Sequence, residues 1–134
     1  MKVPTDLKLL SYIYDHYYAT FSSFSKEEPD RDVKIYVPID CAKIVKHFGV
    51  DPDIVFGRLY YHLENKYGYK RSDGSRVHFF ALRLKEDKKC INFPLLSSVV
   101  AGLREESSKC WLATWVSLLA LVVSVFSLGF GMSS

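Results

Sequence analysis

The sequence predicts an α+β domain that folds in water, followed by a single helix suited to a membrane. Three observations carry this. After Lys109 the last 25 residues contain no Asp, Glu, Lys, Arg or His. Before it, apolar side chains recur every three or four positions in several stretches, the period of helices packed on a core. Between these stretches an Asp-Gly pair is flanked by alternating apolar residues, which marks a β-hairpin. The whole net charge of +3 lies in residues 1–109, so composition divides the chain into two regimes.

Thr5 is a suitable N-cap for a first helix, with Asp6 favourable in its first turn. Leu7, Leu10, Tyr14, Tyr17, Phe21 and Phe24 form its inward stripe, widened by Leu9 and Ile13, and it ends between Ser22 and Ser25. Ser25 to Asp32 is a charged loop containing Pro29. Val33, Ile35 and Val37 then alternate with Lys34 and Tyr36, a short strand stopped by Pro38. A short helix is expected from Asp40 to Phe48, with Ile44, Val45 and Phe48 inward and Gly49 as its left-handed cap. Asp51 and Pro52 open another, as N-cap and first helical residue, running to about Lys66 with Val55, Leu59, Leu63 and Tyr67 inward. A hairpin follows: Tyr67 to Arg71, a turn over Ser72–Ser75, and Arg76 to Leu84.

Two short helices joined around a glycine make a helix-turn-helix. The residues Ile39, Ile44, Val45, Phe48, Gly49 and Val50, the "DPDIVFGRLYYH" of the second helix and the Asp73-Gly74 hairpin together resemble the winged helix-turn-helix superfamily over about residues 5–85. The resemblance implies a winged-helix head. Such domains most often bind DNA, the second helix entering the major groove and the wing touching phosphates. It assigns the outward positions Arg58, Tyr61, His62 and Asn65 to base contacts, and Lys70, Arg71 and Arg76 of the wing to the backbone, with Ser72 and Ser75 beside them. Asp51, Asp53 and Glu64 on the same helix, and a net charge of only +3, weigh against an acidic ligand. The alternative is a membrane-anchored interaction or oligomerising protein whose winged helix docks a protein partner.

Organisation follows from these elements: a head over 1–88, a connector over 89–110, and a membrane helix over 111–131. Lys85 to Cys90 reads as charged linker. Asn92 and Pro94 mark a helix start, and Leu96, Val99, Val100 and Leu103 give it a modest apolar stripe that Gly102 and Ser107-Ser108 weaken. The 21 residues from Trp111 to Gly131 would span roughly 30 Å as a helix, the thickness of the hydrocarbon core. Trp111 and Trp115 suit the headgroup level. Arg104 and Lys109 predict a cytoplasmic head, and the few residues after the span predict a single-pass tail anchor. Ala113, Ser117, Ala120, Ser124, Ser127 and Gly131 fall 4, 3, 4, 3 and 4 apart, one seam of small side chains that would allow a second copy or another membrane protein to approach closely.

The sequence carries no Gly-rich phosphate loop, HExxH, GxSxG or paired-carboxylate motif. Cys41, Cys90 and Cys110 are odd in number and far apart, so reduced thiols are expected rather than a disulfide framework or zinc site. His16, His47, His62 and His78 show no ligand spacing. The N-terminal residues lack the apolar core of a signal peptide. No catalysis, cofactor, metal or small-molecule substrate is expected; the expected partners are lipid, another copy or membrane protein, and DNA.

Overall fold

In the computed structural model the described residues are 3–31, 33–84 and 87–132, without the side chains at 83, 84, 87, 88 and 130–132. The chain divides into two compact units, Met1–Val100 and Ala101–Ser134. In the first, Thr5 Oγ1 accepts from the Lys8 N–H at 3.1 Å, and α1 (Asp6–Ser22) follows. Leu9, Leu10 and Ile13 are its buried residues, whereas Leu7, Tyr14, Tyr17, Phe21 and Phe24 are half-buried. Tyr14 and Phe21 sit at the rim of the core, stacked on Phe93 with centroids 5.3 and 4.7 Å away.

The loop after α1 is charged, yet Arg31 within it is buried. Its guanidinium donates to the carbonyls of Thr20 at 3.0 Å, Phe21 at 3.2 Å and Lys34 at 2.9 Å. The first two belong to the last turn of α1, where carbonyls lack helical partners, so Arg31 acts as its C-terminal cap. β1 (Tyr36–Pro38) is shorter than the alternation of Val33, Ile35 and Val37 predicts. It is an edge strand, which lets it include Pro38 without losing a ladder donor.

Asp40 caps α2 (Cys41–Phe48), and Gly49 closes it with φ 67°. Asp51 Oδ1 accepts from the Asp53 N–H at 2.9 Å and opens α3 (Pro52–Gly57). The helical run then winds as a π-helix over Arg58–Leu63 and ends as α4 (Glu64–Tyr67). The single helix expected from Asp51 to Lys66 is right in extent but not in winding: the Glu64 N–H bonds the Leu59 carbonyl, five residues back. Val55, Leu59 and Leu63 are buried as expected and Tyr67 is half-buried.

The largest correction concerns the strands. β2 (Tyr69–Lys70) and β3 (Arg76–Val77) pair over two residues each, around Gly74 at φ 91°. The second arm of the expected hairpin does not continue to Leu84 in that sheet. At the buried Phe79 and Phe80 the chain moves to another one, as β4 (Phe80–Leu84), and pairs with β5 (Asp87–Asn92). Of the stretch predicted to be a linker, Lys85 and Glu86 lie outside the described residues. The rest belongs to β5, the central strand of an antiparallel sheet ordered β1-β5-β4. Its charged first half hides a second half, Cys90, Ile91 and Asn92, that is buried. The head boundary expected at residue 88 therefore falls inside a strand.

α5 (Phe93–Met132) begins where the Phe93 N–H reaches the Ile35 carbonyl at 2.8 Å and Asn92 Oδ1 accepts from the Leu95 N–H at 3.2 Å. Leu96, Val99 and Val100 complete the head core with Ile13, Ile44, Leu59, Leu63 and Ile91. In the second unit, Gly102 and Ser107-Ser108 do not interrupt the helix.

Candidate functional site

The seven head residues singled out from the sequence divide into two groups. Arg58 does not reach outward. Its Nη1 donates to the Pro4 carbonyl at 2.6 Å and to Asp6 Oδ1 at 3.1 Å, with 22% of the side chain exposed. His62 Nε2 stands 3.8 Å from the same carboxylate. Arg76 is held by Glu64: Nη2 lies 3.2 Å from Oε1 and also donates to the Glu64 carbonyl at 3.1 Å. The remaining four, Tyr61, Asn65, Lys70 and Arg71, are exposed. A continuous basic strip across Arg58, His62, Arg71 and Arg76 is thus interrupted at Arg58 and Arg76 by acids of the head itself.

Glu64 was not singled out as a site residue, and it organises this region. Its Oε2 accepts from the backbone N–H groups of Phe79 and Phe80, both at 3.0 Å, and Oε1 lies 3.2 Å from His78 Nδ1. A buried carboxylate surrounded by donors locks α4 to the start of β4. The sequence signal was slight: Glu64 follows inward-facing Leu63.

Beside this lock a groove of about 660 Å³ opens between the helical run and β4, lined by Tyr60, Tyr61, Asn65, Phe80 and Leu82 among others. Tyr61 is 73% exposed and Leu82 43%. β4 is the outer strand of its sheet on this side. A π-helical turn, exposed aromatic rings and a strand edge thus meet in one place; such turns recur at functional sites.

In the second unit, Ala113, Ser117, Ala120, Ser124 and Ser127 are all exposed, and Gly131 lies within the helix. Trp111 and Trp115 rings are 5.4 Å apart, and Lys109 pairs with Glu105 at 3.1 Å. α5 is long and apolar enough to cross a membrane: its best 18-residue window has mean hydropathy 2.1, with none of it buried in protein. A core helix of a soluble domain would bury such a face. Among the described residues no group of three or more His, Cys, Asp or Glu side chains is placed to hold a metal. Cys41 and Cys90 are buried, and burial pushes the Cys41 thiol above its ordinary pKa.

No protein-family model, curated protein or solved structure matches the chain.

Proposed function

We propose that this is a non-enzymatic, single-pass membrane protein whose winged-helix head, on the cytoplasmic side, docks a protein partner in the groove of Tyr60, Tyr61 and Leu82. The observation that carries the reading is the fate of the cations. Arg58 and Arg76, two of the four side chains a basic strip across Arg58, His62, Arg71 and Arg76 would need, are neutralised within the head by Asp6 and Glu64. What stands beside them is aromatic and apolar, the composition of a protein-binding hot spot. The small-residue seam of α5 would bring a second copy alongside in the membrane.

A second reading, membrane-tethered DNA binding, keeps one supporting observation. Helix, strand, two helices and an antiparallel sheet ordered β1-β5-β4 is the arrangement expected of a winged helix, and Lys70 and Arg71 stand exposed on the hairpin.

One experiment separates the two. A photo-crosslinking amino acid at Tyr61, in the full chain in native membranes, should capture a discrete protein, and Leu82→Ser should abolish capture. Retention of duplex DNA by the detergent-solubilised chain, falling steeply with salt and lost in Lys70→Ala with Arg71→Ala, would replace the first reading by the second.

A further inference from the structure

A second groove, of about 610 Å³, opens between β1, the β2–β3 hairpin and the first turns of α5. Ile35, Tyr69 and Leu95 give it apolar walls, and Arg71, Asn92 and Ser98 give it donors. Asn92 is only 6% exposed. Its Oδ1 accepts from the Leu95 N–H, which fixes Nδ2 as the other end of the amide. Among the described residues Nδ2 has no acceptor, and it is not sealed off, because no fully enclosed side-chain nitrogen or oxygen lacks a partner. A donor on a nearly buried residue therefore opens unpaired onto the groove.

Among the described residues the lining carries charge of one sign: Arg71 and Arg76 line the groove and no carboxylate does. The Arg71 backbone is fixed by the turn, its N–H donating to the Ser75 carbonyl at 2.7 Å, while its guanidinium has no partner among the described residues. Arg76 also lines the groove but is held by Glu64, and the nearby Asp73 carboxylate is engaged by Ser75. The start of α5 adds the positive end of a helix dipole. Its first donors, Phe93 N–H and Leu95 N–H, are already used and Pro94 has none, so Asn92 Nδ2 and Arg71 remain for an anion.

We propose that this groove binds the anionic headgroup of a membrane phospholipid, with Asn92 Nδ2 and Arg71 on the phosphate and Ile35 and Tyr69 along the glycerol and upper acyl chains. An anion site with apolar walls fits an amphiphile better than a free ion. The chain between Ser98 and Trp111 can span no more than about 45 Å even fully extended. The head is therefore supplied with lipid at high effective concentration. The choice of lipid as the source rests on the membrane reading of α5; the site itself does not.

The test uses the full chain in zwitterionic detergent and short-chain lipids that need no bilayer, so it does not depend on how α5 inserts. The NMR signals of the Asn92 side-chain amide are followed during titration with dihexanoyl phosphatidylglycerol, dihexanoyl phosphatidylcholine and inorganic phosphate. Phosphatidylglycerol should give a saturable shift. Asn92→Asp keeps an acceptor for the Leu95 N–H but replaces the donor with a negative charge, and should weaken binding about tenfold or more. Arg71→Gln, on the exposed hairpin where folding is not at stake, should do the same. An equal response to phosphatidylcholine, saturation by inorganic phosphate at the same concentration, displacement of the lipid by duplex DNA, or no saturable shift would each overturn the proposal.

Discussion

Glu64 reaches 15 residues along the chain to accept the Phe79 N–H at 3.0 Å. The same oxygen also takes the Phe80 N–H, and Arg76 and His78 close over the other. One carboxylate thereby decides where the hairpin ends and the central sheet begins. Glu64→Ala leaves two backbone donors unpaired and takes the carboxylate from the Arg76 guanidinium, and should cost the head about 3–5 kcal/mol. Thermal unfolding of the detergent-solubilised chain measures it; a loss below 1 kcal/mol would mean that water replaces the carboxylate.

Gly68 belongs to the same lock. A Cβ there would collide with Glu64 Oε1, the Glu64 carbonyl oxygen and Arg76 Nη2. Gly68→Ala should destabilise by about 1–3 kcal/mol, as overpacking does. Because φ at Gly68 is −67°, the cost is collision and not backbone strain. Combined with Arg76→Ala the penalty should shrink, and simple additivity of the two would contradict this account.

Arg31 is the second buried ion, and its work is to finish α1. Arg31→Ala should cost about 2–3 kcal/mol through the guanidinium hydrogen bonds lost to the carbonyls of Thr20, Phe21 and Lys34. Arg31→Lys should recover little, because a point charge cannot serve three acceptors in the geometry of the planar fork. Amide exchange in the last turn of α1 is the local readout, and it should accelerate in both variants.

The hairpin turn should respond to acid. The Ser75 hydroxyl, and then the Ser75 N–H, hold the Asp73 carboxyl below its ordinary value. A depressed carboxylate stabilises the folded turn above its unfolded-state pKa, and the contribution is lost as pH falls through the folded value. The Ser75 amide resonance should therefore move below the usual carboxylate range, and Asp73→Asn should abolish that movement while leaving the Arg31 region unchanged.

For α5 the expected solvent is lipid. The full chain should remain with membranes through alkaline carbonate extraction. Val122→Asp, near the middle of the proposed span, places a charge there at a cost of about 3 kcal/mol and should release a fraction to the supernatant. If the unaltered chain is extracted as a soluble protein, the membrane reading is lost. Ser117→Leu with Ser124→Leu tests the seam separately: an oligomer crosslinked in detergent should dissolve, whereas a chain already monomeric removes the seam's role.

Local chemistry made much of the head legible. Thr5 and Asp51 cap the helices they were expected to cap, Asp40 caps the helix expected to begin at it, and Gly49 and Gly74 take the left-handed backbone that glycine permits. The sheet was harder to read, because β5 opens with Asp87, Lys88 and Lys89 ahead of the buried Cys90, Ile91 and Asn92. Charge at one end of a central strand looks like a linker when one of its partners, β1, lies far back in the chain, with Pro38 opposite Cys90.

What the sequence determined by itself is the division into a charged α+β head and an apolar helix, because capping, periodicity and hydropathy act over a few neighbouring residues. Only the tertiary structure decided which cations are spent. Arg58 meets Asp6 across 52 residues and Arg76 meets Glu64 across 12, and an ion pair of that range is set by packing, to which local pattern is blind. The same holds for the groove at Tyr61 and for the open amide of Asn92: both arise where separate elements close on one another.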